Sequence, residues 1–212
     1  MIKAVLFDMD GVLVDTEWFY NRRRVAYLET QGFTFDEIPD LSGTNDIYIW
    51  EYFIPDDPVR REEIKRGYSA YQLEHPVPYA ELLNMQAKPV IEELHRRRIK
   101  TAIASSGYTE LIQELVDVAG IGDALDVQLS CHECSAFKPD PEVYLRAMEM
   151  LGVTPEESLV IEDSPIGIEA GRRSGARVFA LRPHEGVTLD QSGAERIIDS
   201  LADILDEVAD AE

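Results

Sequence analysis

Apolar residues recur along this chain in two rhythms. Ile2, Ala4, Val5, Leu6 and Phe7 form a run with too few polar positions for a half-exposed strand, which predicts a buried central strand of a parallel sheet. Across residues 17–80 the spacing is helical. Trp18, Phe19, Val25, Ala26 and Leu28 lie among charged residues until Gly32; Ile47, Ile49, Trp50 and Phe53 lead up to the break between Pro55 and Pro58; residues 64–73 then resume the pattern. After Pro89 helices and strands alternate. The pattern predicts a helix around Val90, Ile91 and Leu94, a strand at 101–104, a helix at 111–119 stopped by Gly120, and a strand at 127–130. Asp140 and Pro141 open the next helix and Gly152 closes it, with a capping-box pattern at Thr154, Pro155 and Glu157 before a strand at 159–162. Ser164 and Pro165 start another helix, followed by a strand at 176–181 and a terminal amphipathic helix at 200–208. Alternation of this kind predicts an α/β fold, a parallel sheet covered on both faces, with the helical block inserted after its first strand.

The ends of the predicted strands carry the polar residues that such sheets use for chemistry. Asp8 and Asp10 follow the first strand, two apart and projecting similarly, and Gly11 lets the backbone turn. Two carboxylates so close repel unless something offsets them, and Mg²⁺ is commonly held by one or two carboxylates. The plain alternative is a turn with solvated acids. With the cation, Asp8 would be a covalent nucleophile toward phosphorus and Asp10 a general acid and base. Glu162 and Asp163 end a second buried strand with a second acidic pair; in isolation the lesser reading is an N-cap plus a helix-dipole charge. Ser105, Ser106 and Gly107 stand where a strand meets a helix, as a phosphate cradle or an ordinary N-cap. Lys138, in FKPDPEVY, could meet a transferring phosphoryl group and the nucleophilic carboxylate, where an isolated Lys would be a solvated charge.

Composition narrows the partners. The 212 residues, 45% hydrophobic, suffice for one core plus a small inserted domain. Lys and Arg total 20 against 41 Asp and Glu, a formal charge of −21, which excludes a large basic surface for nucleic acid. The same field repels phosphate esters, so a phosphate-using site here needs Mg²⁺ and a local Lys. No apolar run reaches the length of a membrane span and no leader precedes the first strand, so the expectation is a cytoplasmic monomer without a membrane partner. Cys131 and Cys134, in CHEC, lack the further ligands of a zinc site and read as reduced thiols in a loop or edge strand. The histidines read as solvated or packing residues.

Taken in order, DMDGVLVDT, the strand ending at Ser105, Lys138 in KPDPEVY, and IEDSPIGIEAG resemble the four motifs of the haloacid dehalogenase-like hydrolases. The resemblance is strongest to the subfamily of β-phosphoglucomutases and small sugar-phosphate phosphatases, and it covers essentially the whole chain. It implies a Rossmann-like core with strand order 5-4-1-2-3, formed by residues 1–14 and 83–212, and a helical cap domain at 15–82. It further implies an aspartyl-phosphate on Asp8, with Asp10 protonating the leaving alkoxide and later activating water. Mg²⁺ would be held by Asp8, the Asp10 carbonyl and Asp163, with Glu162 in or beside its shell. Nonbridging oxygens would be held by Ser105, the Ser106 amide in the turn before Gly107, and Lys138.

The cap separates hydrolase from mutase. Mutases of this subfamily carry a His five residues after the hinge aspartate and an Arg three after the cap-loop glycine; here those positions, counted from Asp15 and Gly43, are Tyr20 and Asp46. Tyr does not titrate like imidazole and Asp repels a second phosphate, so the expectation is a phosphatase acting on a small phosphorylated metabolite. A sugar phosphomutase and a non-catalytic binding member are the alternatives. A phosphoacceptor signalling domain also uses Asp, Mg²⁺ and Lys, but has no reason for the DxD spacing or the long insertion. Tyr20, Gly43, Asn45 and Asp46 are the candidate specificity positions, in a polar setting that suits a sugar phosphate.

Overall fold

In the computed structural model, which describes residues 1–38, 41, 44, 46–183 and 187–208, β1 (Ala4–Phe7) is buried at every position. The reason is its place in the sheet: β1 is hydrogen-bonded on both sides, in parallel, to β2 (Lys100–Ser105) and β4 (Ser158–Glu162). In chain order α1 (Glu17–Thr30), α2 (Asp46–Phe53), α3 (Pro58–Glu74), α4 (Tyr79–Leu82) and α5 (Ala87–Arg96) separate β1 from β2. Then come α6 (Thr109–Ala119), β3 (Val127–Ser130), α7 (Glu142–Leu151), β4, α8 (Pro165–Ser174), β5 (Arg177–Leu181) and β6 (Arg196–Ile198).

The sheet order is β3-β2-β1-β4-β5-β6, all parallel. The first five strands have the expected 5-4-1-2-3 order, and β6 is an additional edge strand that the hydrophobic pattern did not disclose. Only Ile198 of its three residues is buried, so it offers almost no apolar signal. The terminal segment also differs from the expected amphipathic α-helix: residues Leu201–Asp206 wind as a 3-10 helix. It is pinned at both ends by side chains of other elements, Gln86 at Ser200 and Leu201, and Arg97 at the carbonyls of Leu205 and Val208. Elsewhere the punctuation read from sequence holds, with α6 and α7 stopping at Gly120 and Gly152 and Ser164 capping α8. Asp140 lies one residue further from α7 than expected, yet still accepts from the Glu142 N–H at 3.1 Å.

Strand register aligns the polar ends. Phe7 pairs with Ile103 and Ile161, so Asp8, one residue on, is level with Ala104 and Glu162. Ser105 pairs with Ser130 at the same end of β2 and β3. The site residues carried by these strands therefore share one edge of the sheet.

The chain divides into two compact units, residues 1–15 with 79–212, and residues 16–78. In the first unit, α4 and the segments beside it tie the chain back to the segment that follows β1: Asp15 N–H donates to Leu82 O, Asn84 N–H to Leu13 O, and Asn84 Nδ2 to Val12 O. The second unit contains α1, α2 and α3 and has its own core of Tyr27, Leu28, Trp50, Ile54, Ile64 and Tyr68. Trp50 is 1% exposed and meets Tyr68 edge to face at 5.2 Å, so it is a packing residue. No helix among the described residues is long and apolar enough to cross a membrane.

Because Trp50 fills the centre of a small core, Trp50→Ala should destabilise the helical unit by about 3–5 kcal/mol, read as a lowered urea midpoint. Trp50→Phe, which keeps most of the ring volume, should lose much less.

Candidate functional site

The edge formed by the carboxyl ends of β1, β2 and β4 gathers four of the side chains singled out by sequence. Asp8 follows β1, and Glu162 and Asp163 end β4; each of these three acids has an oxygen within 4.8 Å of the others, and all three are buried. Two glycines make that crowding possible. A Cβ on Gly11, whose φ is +78°, would stand 2.0 Å from Asp163 Oδ2, and one on Gly167 would stand 1.7 Å from Glu162 Oε1. Asp10 lies half-buried in the turn after Asp8, outside this group of mutually close oxygens but near enough to act on the Asp8 charge.

Lys138 enters from the segment after β3 and places its ammonium between the acids. Its Nζ donates to Asp8 Oδ1 at 2.6 Å, Glu162 Oε1 at 2.7 Å and Ala104 O at 3.0 Å, which accounts for all three ammonium protons. Glu162 is wholly buried and its two oxygens are saturated. Oε1 also accepts from Tyr144 OH at 2.7 Å, and Oε2 accepts from the Asp163 and Ser164 N–H groups and from Ser164 Oγ. Ser164 is the N-cap of α8, so the start of that helix both supports Glu162 and favours its negative charge.

Tyr144 was not found from sequence. It sits on the apolar face of α7 with Val143, Ala147 and Met148, fully buried, and Lys138 Nζ lies 4.8 Å from its ring centroid. The available signal was that a buried tyrosine needs a partner for its hydroxyl. Gln191 was missed as well: buried, it donates through Nε2 to Asp163 O at 2.8 Å and Leu181 O at 2.7 Å, fixing the backbone that carries Asp163.

Electrostatics follow from three carboxylates facing one ammonium. Burial raises the Asp8 carboxyl most; Lys138 pulls it down, Glu162 and Asp10 push it up again, and the result is about 8. Burial would lower the Lys138 ammonium, but Asp8 and Glu162 outweigh it and hold it well above its ordinary value. Burial and the neighbouring Glu162 carboxylate raise the Tyr144 phenol well above its usual range, so it remains a donor. The residual negative charge calls for a proton or a cation. An all-oxygen donor set of carboxylates suits Mg²⁺, so the residues present fit such an ion.

The loop after β2 is held by hydrogen bonds within its own turn and to β3. Ser105 is buried and its Oγ accepts from the Gly107 N–H at 3.0 Å, while Ser130 Oγ donates to Gly107 O at 2.5 Å. Ser106 is exposed, with Oγ 3.8 Å from the sulfur of Cys131. Both cysteines are free, Cys131 buried in the turn directly after edge strand β3. Of the candidate specificity positions, Tyr20 is half-buried on α1 with the Arg23 and Arg24 guanidinium carbons 5.3 and 5.9 Å from its ring centroid. Gly43 and Asn45 lie outside the described residues; Asp46 begins α2, and its side chain also lies outside them.

Residues 2–175 match the family model for haloacid dehalogenase-like hydrolases. A phosphorylated carbohydrates phosphatase of Thermotoga maritima is 31% identical over 98% of this chain and the whole of its own length. Hexitol phosphatase A of Escherichia coli is 27% identical over 85% of this chain and 82% of its length. A crystal structure of β-phosphoglucomutase from Clostridium difficile shares the fold, with a TM-score of 0.72, 22% identity, and coverage of 96% of this chain and 93% of that one.

Tyr144→Phe, which removes one donor from a buried carboxylate, should cost about 1.5–3 kcal/mol of unfolding free energy, measured by urea denaturation. Lys138→Met leaves two buried carboxylates uncompensated and should cost about 3–5 kcal/mol. Because the folded Asp8 pKa is raised to about 8 from 3.8, its contribution to stability is full below pH 3.8 and is lost as pH rises through about 8. A Mg²⁺ ion held by these acids would compete with that proton. The rise in thermal midpoint on adding Mg²⁺ should therefore grow between pH 6 and pH 8.5 and lose this pH dependence in Asp8→Asn; a pH-independent Mg²⁺ shift in the parent would contradict the assignment.

Proposed function

The chain belongs to the haloacid dehalogenase-like hydrolase family, and from that premise we propose that it is a Mg²⁺-dependent phosphatase of small phosphate monoesters, a sugar phosphate in particular. The observation that carries this reading is Asp8 at the end of the central strand, bonded through Oδ1 to Lys138 and packed beside Glu162 and Asp163. With Oδ1 engaged, Oδ2 is the atom offered to phosphorus. Its attack on phosphorus forms an aspartyl-phosphate, an acyl phosphate on Asp8, and expels the sugar alkoxide, which takes a proton from Asp10; the Asp10 carboxylate then removes a proton from the water that hydrolyses the acyl phosphate.

Phosphoryl transfer asks for alignment and charge neutralisation more than covalent complexity. The Ser105 hydroxyl, the Ser106 amide and the Lys138 ammonium neutralise nonbridging oxygens. Asp8 and Asp163, with the Asp10 main-chain carbonyl, would hold Mg²⁺; Glu162 stands beside them, its oxygens taken by Lys138, Tyr144 and backbone donors. When bound, Mg²⁺ supplies further neutralisation of the transferring group. Tyr20, in the position where mutases carry His, supports hydrolysis over return of the phosphoryl group to a sugar.

Phosphate release from a panel of sugar phosphates tests the reading. Activity should require Mg²⁺ and disappear in Asp8→Asn, while Asp10→Asn should lower kcat by about 10²–10⁴-fold. Conversion of glucose 1-phosphate to glucose 6-phosphate with a bisphosphate primer and no net release would assign the chain to the mutases instead. Silence in both assays would sink the enzymatic reading.

A further inference from the structure

Three exposed rings stand beside the strand-end site, all within the first unit. Tyr108 is 58% and Phe137 48% exposed, and His132 is exposed. They pack on one another: Tyr108 and His132 stack with centroids 3.9 Å apart and planes at 14°, and Phe137 meets His132 edge to face at 4.9 Å. Exposed apolar groups that are contiguous, as opposed to scattered singly, are a feature of ligand-binding surfaces. The Tyr108 carbonyl accepts from the Leu111 and Ile112 N–H groups, but its side chain makes no capping bond to α6 and is not needed there for that purpose.

Each ring is joined to the cradle through the chain. Tyr108 follows Gly107, whose N–H is held by Ser105; His132 follows Cys131, whose sulfur lies 3.8 Å from Ser106 Oγ; Phe137 precedes Lys138. Consecutive Cα atoms are about 3.8 Å apart, so the shelf begins one residue from the groups assigned to the phosphoryl oxygens. The turns bearing Tyr108 and His132 are also tied together. Ser130 Oγ donates to Gly107 O and accepts from the His132 N–H, and Thr109 Oγ1 donates to Glu133 Oε1 at 3.0 Å. The rings are thus held in place before any ligand arrives.

We propose that Tyr108, His132 and Phe137 form a stacking shelf for the leaving group, selecting phosphate monoesters whose alcohol is a closed sugar ring over those whose alcohol is an open chain. This deepens the phosphatase reading and rests on it for the position of the phosphate. A sugar ring has a flat C–H face that packs on the electron-rich face of an aromatic ring, whereas an open-chain polyol must first be ordered to do so. A neutral ring also suits a chain of net charge −21 better than a second anionic group.

Glucose 6-phosphate and sorbitol 6-phosphate make a matched pair, closed ring against open chain. Both are titrated calorimetrically, with Mg²⁺, into the full-length Asp8→Asn protein, which binds without turnover, and into the same protein carrying Tyr108→Ala, His132→Ala or Tyr108→Phe. The expected result is tighter binding of the ring ester, a preference reduced about fivefold by either alanine and retained by Tyr108→Phe, which keeps the ring face. A parent that binds both esters equally or neither, or a preference that survives Tyr108→Ala, overturns the proposal. Phosphate release by the wild-type chain is measured on the same two esters: a Tyr108-dependent binding preference without any release would sink the phosphatase reading and leave the shelf standing.

Discussion

Three carboxylates, Asp8, Glu162 and Asp163, are buried at one sheet edge with the Lys138 ammonium bonded to two of them, and the rest of the site answers that imbalance. An uncompensated charge in a dry interior costs several kcal/mol, so each acid must be met by donors. Glu162 is met by Lys138, Tyr144, Ser164 and the first backbone N–H groups beyond β4, and its place against Gly167 exists because that residue has no Cβ. What these donors leave over is negative charge near Asp8, which a proton or a divalent cation can balance. A site that holds a transferring phosphoryl group has to begin from such a reserve of cation affinity, because the phosphoryl oxygens are themselves anionic.

Rigidity comes from the sheet. Asp8, Ser105 and Glu162 are placed by parallel register on β1, β2 and β4, strands buried almost throughout, so their relative positions are set by main-chain hydrogen bonds and not by loop conformation. Lys138 is the exception in origin, coming from a segment 130 residues after Asp8, but three hydrogen bonds fix its head group as firmly as the strands fix the acids. Gln191 plays a comparable part for Asp163 by holding its carbonyl. The helical unit has a separate aromatic core, which lets its surface vary without disturbing the strand ends.

The hydrophobic pattern revealed five strands because buried parallel strands are continuous apolar runs, while their order came from the family resemblance; helix stops such as Gly120 and Gly152 carry their own backbone signature. It missed β6, where Ile198 alone is buried, and it read an α-helix where side chains of Gln86 and Arg97 hold a 3-10 helix at Leu201–Asp206. Those are contacts over more than a hundred residues, and no local window contains them. Tyr144 and Gln191 escaped over shorter separations, 18 and 28 residues: each looks like an ordinary helix or loop residue until its partner, Glu162 or Asp163, is brought against it.

The sequence by itself determined the alternation of elements, the placement of acids and serine at strand ends, the lysine ahead of a helix start, and the family those motifs share, because each depends on residue types within a few positions of one another. Only the tertiary structure decided that Lys138 bridges Asp8 and Glu162, that both oxygens of Glu162 are taken by protein donors, and that Tyr108, His132 and Phe137 stack into one surface. Pairing of distant groups, and the pKa that burial then imposes on Asp8, depend on distance and solvent exclusion, which exist only once the strands have come into register.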